Sequence, residues 1–578
     1  MSESTRPLPP LIPLPNGGWE VNSFLSSAEY TIRGLGLVPA NHIVPIIVVP
    51  GMMGTNLRAK RNPIVGKLHD ERNRVITPGR PAWHPPNGKL EGLKASSMWD
   101  KLSPRDRQRR FDLATLEVDD SGPVILPDTE DGYVLSEADV RERGWGEVHA
   151  ESYGHLLHSL QTKLNQTFLT DERTKQRSVQ AHWKDIMAAD PRKWGVREFP
   201  ALTESHLEQH AKQYYPVYCI GYNWLDDCEV SSKRLEARIL QIIDQWSKSK
   251  RKCEKVILVT HSMGGLVARS CAKRIPHKIA GIIHGVMPAF GAPVAYRRIA
   301  CGTESSSPSN GGLDNYAALQ LAKVLGNTPS KTTPVLATAP GALELLPNHL
   351  YPGPWLHVRV SKVQMSAGAP FDEARGHIRP ITETPTDFLN VPTQIAPNPY
   401  DLYRDMRRWY RLIDPSLADP AKKYANDESR DRAIRSAIDT AERFHRALGD
   451  YCHPNTYVFY GDDPKQLSFG QLRWTARQWA ASSVALTTSN IANGKLMSSE
   501  SGARRRVLIE GKTELQFEPE PQDSRGDGTV PYQSSTALPG GVKQVFAARG
   551  FEHQGSYNNG DMLTLTLRLI VKIVQEMS

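Results

Sequence analysis

The chain has 578 residues, 39% of them apolar and 8% aromatic, which is more than one hydrophobic core usually absorbs; a large domain with insertions, or two to three domains, is expected. Its 71 basic and 62 acidic residues leave a net charge of +9, spread thinly, and no recognition motif or basic-aromatic stripe accompanies it, so no nucleic-acid partner is expected. There is no apolar run of about 18 residues to span a membrane and no secretory pattern at the N-terminus, and the six cysteines lack any C-x-x-C or zinc-like spacing; a protein cytoplasmic in its producer, with reduced buried thiols, is the expectation.

In chain order, residues 1–40 open Pro-rich and read as an N-terminal arm. Residues 43–49 form an unbroken apolar run rich in β-branched side chains, the mark of a strand buried on both faces. The same mark recurs at 216–224, 256–260, 279–287, 456–461 and 542–548. Between these runs Leu235, Ile239, Ile242, Ile243 and Trp246 share one face of a helix, as do Leu563, Leu567, Ile570, Val571 and Val574. Strands alternating with helices predict a mostly parallel sheet flanked by helices.

Three segments break this rhythm. Residues 61–212 are polar and rich in Pro and Trp, with amphipathic pieces such as SYGHLLHSLQTKL; residues 293–455 carry helical patterns in DLYRDMRRWYRLID and DRAIRSAIDTAERFHRALGD; residues 462–525 include a hairpin in RRRVLIEGKTELQFEP, its turn near 510–513. They read as a first cap insertion, a second, mainly helical one, and a third with the hairpin, leaving 41–60, 213–292, 456–461 and 526–578 as the core. The basic runs SPRDRQRR and Arg504 to Arg506 read as solvated faces.

The chemistry centres on VILVTHSMGGLVARS. A nucleophile elbow needs a serine at a sharp turn between strand and helix, flanked two residues either side by small side chains. Ser262 fits, with Gly264 on one side and the bulkier Thr260 on the other; a strand at 256–259 and a helix at 265–275, stopped by Pro276, supply the setting. A serine hydroxyl needs a base and the base an orienting acid, in the order Ser, Asp, His. Asp527 in SRGDGTVPYQS and His553 in ARGFEHQGSYNN follow in that order, each after a late strand, with Asp462 and Asp463 as alternative acids. Among the other histidines, His261 points the wrong way from an elbow, and His453, His284 and His42 read as structural or surface residues. The oxyanion of a tetrahedral intermediate needs N–H donors; Met263, after the nucleophile, is one, and Met53 in the VVPGMMGTNL loop, with Met52 as alternative, is the other.

PGMMGTNL, YNW, HSMGG, LLPN at Leu345 to Asn348, GDGTVP and the late His553 together resemble the lecithin:cholesterol acyltransferase-like branch of the α/β-hydrolases, which includes relatives of GPI-inositol deacylase and bacterial lipases. Within it the chain looks most similar to antibacterial lipase effectors delivered by type VI secretion. The resemblance covers scattered core segments from about residue 43 onward. It implies an α/β-hydrolase fold with large, mainly helical cap insertions, Ser262 as nucleophile, Asp527 as acid, His553 as base, oxyanion support from the PGMMG loop, and no cofactor or metal. Thr260, and Asn223 in YNW, depart from the family pattern without removing a reacting group.

The implied activity is a serine lipase or phospholipase that cleaves acyl esters of lipids through an acyl-enzyme, with a lipid or membrane surface as substrate, its large cap closing an apolar groove. Acyl transfer or carboxylesterase activity on the same triad is the alternative within enzymes, and a non-catalytic binding module is the alternative outside them. For a delivered toxin the resemblance further implies a cognate immunity protein, a secretion-apparatus component, and export by a dedicated system into a target cell.

Overall fold

The computed structural model describes residues 11–13, 19–21, 40–61, 77–126, 135–170, 176–365, 381–479, 485–499, 503–535 and 541–577. All six apolar runs become strands of one parallel sheet: β1 (Ile46–Val49), β2 (Val217–Cys219), β3 (Val256–His261), β4 (Ile279–Gly285), β5 (Thr456–Gly461) and β6 (Val542–Ala548), in spatial order β2-β1-β3-β4-β5-β6. The order reverses beside β1, so β1 and β3 flank the switch point whose carboxyl edge is the usual ligand crevice of such sheets.

Side chains alternate across the strands. Ile47, Val49, Val256 and Leu258 enter one core with helices α2 (Cys228–Lys248) and α3 (Gly264–Arg274); Ile46, Val48, Ile257 and Val259 enter the opposite core with α1 (Ala150–Asn165) and α4 (Gly560–Gln575). The predicted stripes on α2 and α4 are the buried ones. Helix α1 lies inside the segment read as the first insertion, yet it packs Leu156, Leu157, Leu160 and Leu164 against the sheet. The reason is topological: parallel neighbours β1 and β2 need a crossover, and the helix that crosses between them covers the sheet face. The hydrolase layer therefore reaches into 61–212.

The second and third insertions share a second six-stranded sheet, ordered Ile381–Val391, Leu356–Met365, Leu472–Trp479, Thr513–Pro519, Arg505–Ile509, Lys495–Ser499. Its hairpin turns at Glu510 and Gly511, both at positive φ (49° and 67°), between Ile509 and Thr513. DRAIRSAIDTAERFHRALGD folds into the helix Asp427–Leu448, opened by a capping box at Asn426. DLYRDMRRWYRLID does not form one helix; it ends at Arg404, where the Asp405 carboxylate accepts from the Arg407 and Arg408 amides and turns the chain.

The basic runs are only partly solvated. The Arg107 guanidinium is buried and donates to the carbonyls of Trp99, Lys323 and Val324, closing the ends of helices Gly88–Lys101 and Gly312–Leu325, and burial lowers its pKa to about 10. Arg505 is likewise buried, donating to the carbonyls of Trp409, Arg411 and Ala300 over the Trp474 ring, while Arg504 and Arg506 point outward to Glu518 and Glu514. Strand alternation inside the triplet sends its middle member into the core, carbonyls taking the place of counter-ions.

Candidate active site

Ser262 follows the last residue of β3 and precedes α3. Its φ is 53°, a left-handed conformation costing an L-residue about 1–2 kcal/mol, and the turn is held by the Ser262 amide donating to the Gly285 carbonyl at the end of β4 (2.9 Å). Gly264 is obligatory: a Cβ there would lie 2.4 Å from the Pro50 carbonyl and 2.5 Å from that of Val49. Thr260 stays in the sheet, paired with Val49 on one side and His284 on the other, and its hydroxyl bonds His284 Nδ1 at 2.7 Å. The positive φ of the elbow falls on the serine and not on the threonine.

The structure brings the three residues singled out together. His553 Nε2 is 2.8 Å from Ser262 Oγ, and His553 Nδ1 is 2.8 Å from Asp527 Oδ2. Asp527 is buried, and its other oxygen accepts from the amides of Thr529 (2.9 Å) and Val530 (2.7 Å), which fixes the carboxylate. The His553 amide donates to the Asp527 carbonyl, tying the two loops together. Only 7% of Ser262 is exposed, so the group is nearly closed from water. The alternative acids go elsewhere: Asp463 accepts from the Gly550 and Lys465 amides, and Asp462 pairs with Arg525 and Arg549.

The oxyanion candidates lie beside the serine. Met263 is the N-cap of α3, so its amide stands at the positive end of the helix dipole. The Pro50 to Gly54 loop presses on the elbow so closely that a Cβ on Gly51 would come within 2.9 Å of Ser262 Cβ. Met53 has φ 63°, and its carbonyl accepts from the Trp83 indole (2.8 Å). Among the described residues neither the Met263 nor the Met53 amide has a hydrogen-bond partner, which leaves both donors free.

Two residues the sequence left aside also stand here. His261 is buried, and burial with the neighbouring His553 ring lowers its pKa to about 3. It does not touch Ser262 Oγ; its ring bonds Tyr153 and the His553 carbonyl. Tyr153 comes from α1, whose place on the sheet is not evident from SYGHLLHSLQTKL alone. Asn223 and LLPN are structural: Asn223 Oδ1 accepts from the Leu225 amide, and the buried Asn348 side chain meets the Ala289 carbonyl and His445. All six cysteines are free thiols, and among the described residues no cluster of His, Cys, Asp and Glu is arranged to hold a metal.

Sheet order, elbow and crevice define an α/β-hydrolase of the lipase/esterase type. Residues 230–306, which span most of α2, the elbow and β4, match the PGAP1-like alpha/beta domain family. The chain is similar over its length to a solved structure, the crystal structure of a Tle4–Tli4 complex, with 27% identity and a TM-score of 0.66, covering 92% of this chain and 98% of that one. Among curated proteins no sequence matches.

Proposed function

We propose that the protein is a serine lipase or phospholipase in which Ser262 attacks an ester carbonyl, His553 takes and returns the proton, Asp527 orients the imidazole, and water releases the acyl-enzyme. The observation that carries this reading is the unbroken Ser262–His553–Asp527 hydrogen-bonded chain at the carboxyl edge of the sheet. The amides of Met263 and Met53 are the donors to the oxyanion, each worth roughly 3 kcal/mol of transition-state stabilisation.

A lipid substrate is favoured by what surrounds the loop. Trp83, whose indole holds the Met53 carbonyl, belongs to an aromatic cluster with Trp99, Phe111 and Trp224, an apolar wall beside the oxyanion loop. The cap helices Gly88–Lys101 and Gly312–Leu325 leave Leu90, Leu93, Met98, Tyr316 and Leu321 exposed, an apolar surface suited to a lipid interface. The likeness to the Tle4 chain of a Tle4–Tli4 complex, with the resemblance to type VI lipase effectors, supports a delivered antibacterial toxin neutralised by an immunity protein in the place of Tli4.

The test is mass spectrometry of defined phospholipids incubated with the wild-type chain and with Ser262→Ala. Lysophospholipid and fatty acid from the wild type alone is the expected result. Equal hydrolysis by both proteins sinks the assignment of Ser262; intact phospholipid with short-chain esters still cleaved sinks the lipid reading and leaves a carboxylesterase.

A further inference from the structure

The reactive group is held by a second hydrogen-bonded chain that runs behind it. The Gly51 amide donates to Tyr153 Oη (2.9 Å), Tyr153 Oη lies 2.8 Å from His261 Nδ1, and His261 Nε2 lies 2.9 Å from the backbone carbonyl of His553. Both ends of this chain have a fixed sense, because an amide only donates and a carbonyl only accepts. His261 must therefore carry its proton on Nε2, and neutral imidazole then accepts at Nδ1 from the Tyr153 hydroxyl. Each of the three links then carries one hydrogen.

We infer that Tyr153 and His261 are positioning residues for the reaction proposed above, a neutral relay that sets the oxyanion loop and the His553 loop in one frame around Ser262. The inference rests on that reading of the triad. Both ends of the relay adjoin reacting atoms: Gly51 lies against Ser262 Cβ, two residues from the Met53 amide, and the carbonyl that His261 holds belongs to the residue whose imidazole meets Ser262 Oγ.

The first turn of α1 grips the same loop at further points. Gln554 Nε2 donates to Ser152 Oγ (2.8 Å), Ser152 Oγ bonds His149 Nδ1 (2.7 Å), and Asn558 Nδ2 donates to the Glu151 carbonyl (3.2 Å). A helix that enters as part of an insertion thus places the base. The groups facing His261 are Tyr153 of α1, His553, the buried Tyr557 and, more remotely, Asp527. With burial and the His553 ring both opposing a second proton, the relay keeps one protonation state across the neutral range.

The experiment compares wild type, Tyr153→Phe and Ser262→Ala on a soluble short-chain ester, with melting temperatures and imidazole nitrogen NMR of the wild type. Tyr153→Phe removes one hydroxyl, leaves Gly51 N–H and His261 Nδ1 without partners, and is expected to lower kcat about 10- to 100-fold while KM stays within about twofold. His261 is expected to show the Nε2–H tautomer without titrating between about pH 5 and 9. A Tyr153→Phe variant with wild-type kcat, or a His261 that titrates near its ordinary value, overturns the relay. Activity surviving in Ser262→Ala overturns instead the triad reading on which it rests. Should Tyr153→Phe melt at a much lower temperature, the NMR tautomer still decides.

Discussion

The two six-stranded sheets of this molecule are built on opposite rules. The parallel sheet is short and dry: β1, β3 and β4 are buried at every position, and Ser262, Asp527 and His553 meet at its edge, after β3, after the short strand Ser524–Gly526 and after β6. The cap sheet is half wet. Leu472–Trp479 alternates buried and exposed residues, Lys495–Ser499 is exposed at every second position, and ion pairs such as Arg359–Asp387 and Arg506–Glu514 cross its outer face. One sheet concentrates chemistry at a single edge; the other supplies area and shape. Substitutions in the two should differ accordingly, by rate in the first and by stability of the cap in the second.

The largest effects should come from the parallel sheet's edge. Ser262→Ala is expected to lower ester hydrolysis at least 1,000-fold with an unchanged melting temperature, and Asp527→Asn on the order of 100- to 10,000-fold, both read by steady-state kinetics. Next is a pH effect spread over the parallel sheet and the segments packed on it. Burial holds His210 and His445 near a pKa of about 4, and His261 and His284 near about 3, against about 6.5 when unfolded. The unfolded chain therefore binds protons that the folded one refuses, so this stability is complete above about pH 6.5 and is lost as pH falls from there towards 4. At pH 5.5 the loss is about 1.4 kcal/mol per histidine, several kcal/mol together. A melting temperature that does not fall between pH 7.5 and 5.5 would contradict it.

The cap should give smaller numbers. Arg107→Ala strips three carbonyls of their buried donor and is expected to cost about 2–4 kcal/mol, seen as an early unfolding step with the triad's fluorophosphonate labelling retained below it. The smallest effect is at Arg506→Ala on the exposed hairpin, where little or no shift of melting temperature is expected because the ion pair lies at the surface. A large shift there would mean that the cap sheet is stabilised as the core sheet is.

The same contrast explains what could be read from sequence. Unbroken apolar runs announce strands covered on both faces, so all six parallel strands and the residues on their loops were legible, Asp527 and His553 included, because order along the chain and position at one edge are the same information in such a sheet. The long strands Leu356–Met365 and Ile381–Val391 carry too many polar residues to announce themselves, since one face is wet. Arg107 and Arg505 read as surface because a charge's usual partner is water, and the carbonyls that replace it come from elements more than 200 residues away in part. Tyr153 was hidden for a similar reason: its partner is His261, which lies 108 positions on, and nothing local marks the pair.

The separation of Ser262 from His553 by 291 positions has a consequence for the chain as it is made. The elbow can fold once β4 has paired with β3, long before β6 is synthesised, but it then has a hydroxyl with no base to take its proton. The hydroxyl meets the His553 ring only when the edge strand docks and the loop behind it closes onto Ser262. A nascent chain still on the ribosome therefore lacks the assembled Ser262–His553–Asp527 group, an order of assembly written into the topology.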